Sequence, residues 1–306
     1  MKPQIAVVGS VNVDLVFKTP RMPVPGETLM GHSFQQIHGG KGANQAVAAA
    51  RMGAAVALIA CVGDDVNGQS CLQALGQDHI DLQNVRRTKD CATGVAGILL
   101  DDGGENCIVL ATGANALLDP SDIGRAASTI AQAKLLLCQL ETPLDTVIAA
   151  IRSARQAGVK VVLNPAPARP LSDEVFACVD YLVVNETEAA LLSGLTTVDL
   201  SNANEAAARL QQRGAKVVLI TLGALGMWVR STDDSYCLPA RKVEVVDTTA
   251  AGDTFVGSLA VAIAEGMELR AACMFAQSAA ALAVTKFGAQ TSIPYRDEVE
   301  RFFTMS

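Results

Sequence analysis

The chain has 306 residues, half of them hydrophobic and only 4% aromatic, and a formal charge of −7. Such a length supports one large core of Ala, Val, Leu and Ile, the composition of helices packed on a parallel sheet. The acidic balance and the lack of any basic run argue against nucleic acid as a partner, because that binding depends on Lys and Arg meeting phosphates.

Eight cysteines and three histidines are scattered without a C-x-x-C pair, which argues against a structural zinc site. The cysteines read as small buried hydrophobes in a reducing compartment rather than redox pairs. The apolar run Ile5–Gly9 is too short for a signal peptide, and no stretch approaches the roughly 20 apolar residues of a membrane span. No membrane partner is expected, and the cytoplasm is the expected location.

Strands are expected at Ile5–Gly9, Val56–Cys61, Leu135–Gln139, Val159–Leu163, Tyr181–Val184 and Val217–Thr221. Helices are expected at Ala43–Met52, Asn67–Gln77, Ser121–Gln132, Leu144–Ala157, Asn204–Arg213, Asp253–Glu265 and Arg270–Thr285. This alternation predicts an α/β fold with helices on both faces of a mostly parallel sheet. Val13–Ile37, with Pro20, Pro23, Pro25 and Gly26, reads instead as alternating β structure. Thr93–Leu110 reads as a hairpin around Asp101-Asp102-Gly103-Gly104. Both lack crossover helices, so a small antiparallel sheet is expected, serving as a lid or as a decorated sheet edge. With no repeat, low-complexity tract or charged linker, residues 1–306 are expected to form one domain, its lid built from about 13–37 and 93–110.

Near the start, His38-Gly39-Gly40-Lys41-Gly42-Ala43-Asn44-Gln45 runs into an Ala-rich helix. Glycines there allow close approach of a ligand, and free N–H groups in the first turn favour oxygen-rich partners; an ordinary turn before a helix fits as well. It is not a P-loop, because Lys41 is followed by Gly42 rather than Ser or Thr. Nor does Gly9-Ser10-Val11-Asn12-Val13-Asp14 match the dinucleotide fingerprint G-x-G-x-x-G. Asn12 and Asp14, at the end of the first strand, suit vicinal hydroxyls, since Asp accepts while Asn donates and accepts. An Asx turn is the alternative.

The stretch Asp247-Thr248-Thr249-Ala250-Ala251-Gly252-Asp253-Thr254-Phe255 follows a short β run, Val243–Val246, and precedes a helix. Small residues at Ala250, Ala251 and Gly252 would leave N–H groups free at that helix start, an anion hole for a phosphoryl group. Asp253, in the first turn, could accept the proton of an attacking hydroxyl, or merely complement the helix dipole.

This stretch resembles the C-terminal signature of the ribokinase family of carbohydrate kinases, D-T-x-small-A-G-D-x-F, at every fixed position. Gly40, Gly42, Asn44 and Ala46, followed by Gly53 and Gly63, resemble the family's N-terminal signature. Essentially the whole chain is covered. The resemblance implies a three-layer α/β/α sandwich with a small β-sheet lid, and transfer of the γ-phosphate of ATP to a small sugar. It implies that Asp253 is the general base and that the N–H groups of Ala250, Ala251, Gly252 and Asp253 form the anion hole. Asn185-Glu186-Thr187-Glu188 is similar to the family's N-x-x-E motif, so that Asn185 and Glu188 would organise Mg²⁺, water and phosphates; read alone, the segment equally caps a helix. Thr221-Leu222-Gly223-Ala224-Leu225-Gly226 is similar to the nucleotide-binding turn, though a plain strand turn explains it nearly as well.

Within the family, the members that phosphorylate D-ribose are most similar. The implied sugar contacts are Asn12, Asp14, Gly40, Lys41, Gly42, Ala43, Asn44 and Glu141. Asn164–Ala168 and Gly288–Gln290 share the same likeness. An activating K⁺ is implied near Asp247, Thr249, Ala283, Lys286, Gly288 and Ser292. Gln277 stands where a His against adenine is common. A homodimer through the lid is implied by resemblance alone. The substrate alternatives are 2-deoxyribose, fructose or a nucleoside. Outside the chemistry stand a non-catalytic sugar-binding regulator and a dinucleotide oxidoreductase, the latter disfavoured by the missing fingerprint.

Overall fold

The computed structural model describes residues 2–304. Thirteen strands and eleven α-helices alternate along the described chain. The strands are β1 (Gln4–Val8), β2 (Asn12–Thr19), β3 (Ser33–Gly39), β4 (Ala55–Gly63), β5 (Asp81–Thr88), β6 (Gly94–Asp101), β7 (Asn106–Ala111), β8 (Leu135–Cys138), β9 (Lys160–Leu163), β10 (Tyr181–Val184), β11 (Val217–Thr221), β12 (Met227–Arg230) and β13 (Ser235–Leu238). The helices are α1 (Lys41–Arg51), α2 (Val66–Gln77), α3 (Pro120–Arg125), α4 (Ala127–Gln132), α5 (Leu144–Gln156), α6 (Asp173–Phe176), α7 (Glu186–Ser193), α8 (Ala203–Gln212), α9 (Ala251–Ala264), α10 (Leu269–Ala283) and α11 (Arg296–Thr304).

Nine strands form the main sheet in the order β13-β12-β11-β10-β9-β8-β1-β4-β5. Pairing is parallel from β5 to β11, and β12 and β13 close that edge antiparallel. Alternate residues of one strand face opposite layers. Ile5 and Val7 of β1 join a core with α1, α9 and α10, while Ala6 and Val8 join a second core with α5 and α8. Two apolar faces explain why these strands read as continuous hydrophobic runs, and the three-layer sandwich agrees with the expected fold class.

The second sheet has the order β3-β2-β6-β7. Its strands fall in the two stretches that broke the helical rhythm. The expectation of an antiparallel sheet needs correcting: β2 and β6 pair in parallel, from Asn12↔Gly94 to Thr19↔Asp101, and only the outer pairs are antiparallel. The chain between β2 and β6 passes through α1, β4, α2 and β5, which supplies the crossover that parallel strands need.

Other expectations shift as well. Ser121–Gln132 is two helices, broken at Ala126, the first started by a capping box from Asp119. Val243–Val246 is not a strand; it is irregular, with Val245 and Val246 exposed, and Val246 N–H donates to Val284 O. Its β-branched residues fit a strand locally, but the sheet ends at β13 and offers no partner. Of the cysteines, Cys61, Cys71, Cys138 and Cys273 are buried as expected, whereas Cys107 is exposed on β7.

Candidate active site

The Asp247–Phe255 turn brings the chain to α9 through Ala250, which adopts a left-handed backbone (φ 59°) despite carrying a Cβ. That conformation costs about 1–3 kcal/mol, and such strain gathers at functional turns. It aims the start of α9 at a cavity of about 240 Å³ beyond the carboxyl ends of the parallel strands, lined by Lys41, Asn164, Glu188, Thr221, Gly252 and Asp253, among others. The N–H groups of Ala250, Gly252 and Asp253 have no acceptor among the described residues. Of the four expected anion-hole donors, only Ala251 N–H is already engaged, by Thr248 O at 3.2 Å.

Asp253 is 7% exposed and held on both oxygens. Asn44 Nδ2 donates to Oδ2 at 3.0 Å, and Gln45 Nε2 donates to Oδ1 at 2.9 Å. These donors reach it because α1 and α9 pack closely at Gly257, where a Cβ would lie 2.6 Å from both Gln45 O and the Ala48 Cβ.

The glycine turn behaves differently from the expectation. Gly40 caps α1 with φ 89°, a conformation open to glycine, and a Cβ there would meet Asn12 N at 2.7 Å. The N–H groups that follow are not free. Lys41 N donates to Glu141 Oε2 (3.1 Å), Gly42 N to Ser10 Oγ (3.3 Å) and Ala43 N to Ser10 O (2.9 Å). The turn is thus a scaffold for Glu141 and Lys41, and the open N–H groups belong to α9. Ser10 Oγ also donates to Glu141 Oε2 at 2.5 Å. Asn12 and Asp14 lie at the start of β2, not at the end of β1. Asn115 Nδ2 donates to Asn12 Oδ1 at 2.7 Å, which turns the Asn12 amide nitrogen toward Glu141.

Five ionisable groups share this end of the sheet: Asp14, Lys41, Glu141, Glu188 and Asp253. Burial first, then the charges of Glu141 and Asp253, push the Asp14 carboxyl up to about 7, against the pull of Lys41. The Asp253 carboxylate, foremost, raises the Lys41 ammonium against the cost of its burial. Burial also raises Glu188. A hydroxyl-rich, anion-bearing ligand would here meet a cation, carboxylate acceptors and amide donors together.

Asn185 caps α7 in a capping box with Glu188: Glu188 N donates to Asn185 Oδ1 (2.8 Å), and Asn185 N and Nδ2 donate to the Glu188 carboxylate. The segment caps α7 and also lines the cavity. One carboxylate at the cavity suits Mg²⁺ carried in on phosphates, since Mg²⁺ keeps several waters and takes one or two protein carboxylates. Thr221 lines the same cavity. Leu222 N–H closes the following turn onto Gly226 O at 2.8 Å; Leu222 and Gly226 are buried, while Gly223, Ala224 and Leu225 are exposed beside the cavity, not in it. Gln277 is half-buried on α10, and its side chain makes no hydrogen bond among the described residues.

Of the residues matched to a monovalent cation, Thr249 and Gly288 are joined to Asp247 by hydrogen bonds. Its Oδ1 accepts from Thr249 N and Oγ1, its Oδ2 from Gly288 N at 2.9 Å, and its N–H donates to Val284 O. Lys286 N donates to Ala283 O, Ser292 Oγ donates to Ala289 O, and the Lys286 ammonium is drawn away to Glu298. Carboxylate and carbonyl oxygens are the hard ligands an alkali cation takes, and both Asp247 carboxylate oxygens already accept hydrogen bonds here. A shallower hollow of about 430 Å³ at the opposite sheet end holds none of these motifs, and Arg296 there is committed to Glu265 and Glu300.

Sequence reading passed over Ser10, Gln45, Asn115 and Asn164 as functional positions. Gln45 and Asn164 lay inside quoted motifs, but only tertiary contact distinguishes them from filler.

Residues 2–296 match the family model of the pfkB family carbohydrate kinases. The chain is 45% identical to ribokinase of Haemophilus influenzae over 302 residues, 99% of each chain. It is 37% identical to deoxyribokinase of Salmonella typhi over 303 residues, again 99% of each. Arabidopsis thaliana ribokinase, solved with ribose and ATP, superposes with a TM-score of 0.93 at 33% identity, covering all of both chains. A match to one family from end to end, on a fold that carries both of its signatures at one cavity, places this chain in the pfkB family of carbohydrate kinases.

Proposed function

We propose that this chain phosphorylates D-ribose with ATP, giving D-ribose 5-phosphate and ADP. The observation that carries the reading is the Asp253 carboxylate, buried and oriented at the mouth of open N–H groups on α9. Asp253 accepts the proton of the sugar hydroxyl as its oxygen forms the new bond to the γ-phosphorus. The bond to the β-phosphate oxygen breaks, and ADP leaves. The N–H groups of Ala250, Gly252 and Asp253 receive the charge on the transferring group, and Lys41 adds its cation; positioning and charge stabilisation are the main demands of phosphoryl transfer. Glu188 would hold the Mg²⁺ that accompanies the nucleotide, which would neutralise phosphate charge. Asp247 would hold an activating K⁺, whose charge would support the turn that presents the open N–H groups.

Asn12, Asp14, Asn44 and Glu141 are assigned to the sugar hydroxyls, and Thr221–Gly226 with Gln277 to the nucleotide. The four-stranded sheet is assigned as the lid. Phe34, Phe17, Leu99 and Cys107 share one register row, and alternation puts Asn12 and Asp14 on the opposite face. The outer row includes exposed Phe17 and Phe34, an apolar surface that supports a lid-to-lid homodimer. Among the described residues no helix is long and apolar enough to cross a membrane; action in the cytoplasm, where ATP is made and used, is part of the proposal.

The second reading, 2-deoxyribose as acceptor, is supported by the Salmonella relative. The neighbouring Asn12 and Asp14 favour an acceptor with adjacent hydroxyls, and a site built for a hydroxyl can reject the analogue lacking it by about 10⁴-fold. ATP turnover with D-ribose, 2-deoxyribose, fructose and adenosine, each with and without K⁺, tests the proposal. Preference for ribose with K⁺ activation supports it. Preference for another acceptor reassigns the pocket, and no turnover with any of them points to a silent sugar-binding protein.

A further inference from the structure

Gln45 is fully buried and does not line the cavity, yet it makes the shortest link to the proposed base. Its Nε2 donates to Asp253 Oδ1 at 2.9 Å and to Asn164 Oδ1 at 3.1 Å, and its Oε1 accepts from Gln139 Nε2 at 2.6 Å. Asn164 Nδ2 donates in turn to Val183 O at 3.0 Å. The direction of every amide in this chain is forced. A main-chain carbonyl only accepts, so Asn164 must turn its nitrogen to Val183 and its oxygen to Gln45. Gln45 then serves two acceptors with one nitrogen, which leaves its oxygen for Gln139.

The other Asp253 oxygen sits differently. Oδ2 is held by Asn44, whose own buried Oδ1 has no partner. A buried acceptor without a donor is costly, by about 1–3 kcal/mol, and a ligand hydroxyl would supply that donor. We infer that Gln45 is the positioning residue of the Asp253 carboxylate. It pins Oδ1 from the dry side and leaves Oδ2, beside Asn44, as the oxygen that takes the sugar proton. Asn164 sets the polarity of Gln45, Gln139 only takes up the oxygen that this leaves, and neither touches Asp253. The inference rests on the reading of Asp253 as general base.

The test compares steady-state kinetics and thermal unfolding of the full chain, Gln45→Met and Gln139→Met. Both variants replace an amide by an apolar side chain of similar length within one buried chain. Gln45→Met should lower kcat about 10- to 100-fold with both KM values within about threefold, while Gln139→Met keeps kcat within about threefold. Unchanged kcat in Gln45→Met, or an equal loss in Gln139→Met, overturns the assignment. Gln45→Glu gives a second readout should Gln45→Met not fold. Its carboxyl can donate to Asp253 only when protonated, so kcat should recover as pH falls from about 8 to about 6. A profile parallel to that of the unmodified chain overturns the assignment. If the unmodified chain turns over no sugar, the kinase reading has failed; if it does and Gln45→Met matches it, only the positioning role has.

Discussion

Asn44 and Asp253 lie 209 positions apart in sequence and are joined by a 3.0 Å hydrogen bond from the Asn44 amide to the Asp253 carboxylate. One belongs to the N-terminal glycine signature and the other to the C-terminal one. On the proposed reading, the bond joins the sugar side of the cavity to the phosphoryl side. Its length depends on how closely α1 approaches α9, and that approach is set at Gly257, where no side chain fits.

Gly257→Val should therefore act at both levels. Overpacking a helix contact of this kind costs about 1–3 kcal/mol. The same wedge should pull Asn44 and Gln45 off Asp253 and lower kcat more than it raises KM. Urea unfolding and steady-state kinetics check this; wild-type stability would show that the helices part without strain.

Asp14 should link pH to both stability and binding. Its carboxyl is raised from 3.8 to about 7, so it holds a proton more tightly folded than unfolded. The stability it contributes is whole below its unfolded value and is lost as pH rises through about 7. Asp14→Asn should thus melt higher than the unmodified chain at pH above about 7, with the advantage shrinking as pH falls through that value. The same variant should bind ribose more weakly, because the ionised carboxylate is the better hydroxyl acceptor. Equal melting temperatures at all pH values would count against the raised carboxyl.

Glu141→Gln removes one of the two carboxylate charges that raise Asp14. The pH midpoint of ribose binding should move downward in this variant. Overall affinity should also fall, since Ser10 Oγ and Lys41 N–H lose a charged acceptor, and hydrogen bonds to charged groups contribute about 1.5–3 kcal/mol. Isothermal titration across pH reads both effects, and an unmoved midpoint would dissociate Glu141 from Asp14.

Closure of the four-stranded sheet should be visible in hydrogen exchange. Ribose should slow exchange across Val13–Ile37, where β2 carries Asn12 and Asp14 on its inner face and β3 forms the sheet edge. Unchanged exchange in that segment would leave the sheet a fixed decoration.

Much of this architecture was legible in sequence because the signals are local. Ile5–Val8, Tyr181–Val184 and Val217–Thr221 are continuous apolar runs, as strands covered on both faces must be. Asp253 announced itself through small residues before an apolar helix. What stayed hidden depends on pairing. Asp81–Thr88 is a polar edge strand whose arginines carry no strand signal, and it is placed by β4 and by Arg86 pairing with Asp122. Val243–Val246 has strand propensity but no neighbour to pair with. The glycine turn read as a first turn with free N–H groups for an oxygen-rich partner, but Ser10 and Glu141 occupy those groups from elsewhere in the chain. The Gln139–Gln45–Asn164 chain spans separations of 94 and 119 residues, and no periodicity reports such a contact.

The most direct test of the account is ATP-dependent turnover of D-ribose by Asp253→Asn beside the unmodified chain. The account predicts a folded variant that still binds ribose and loses about 10²–10⁴-fold in kcat, the usual contribution of a general base. Turnover close to that of the unmodified chain would contradict it, because the other carboxylate lining the cavity, Glu188, lies on α7 and not in the first turn of α9 beside the open N–H groups.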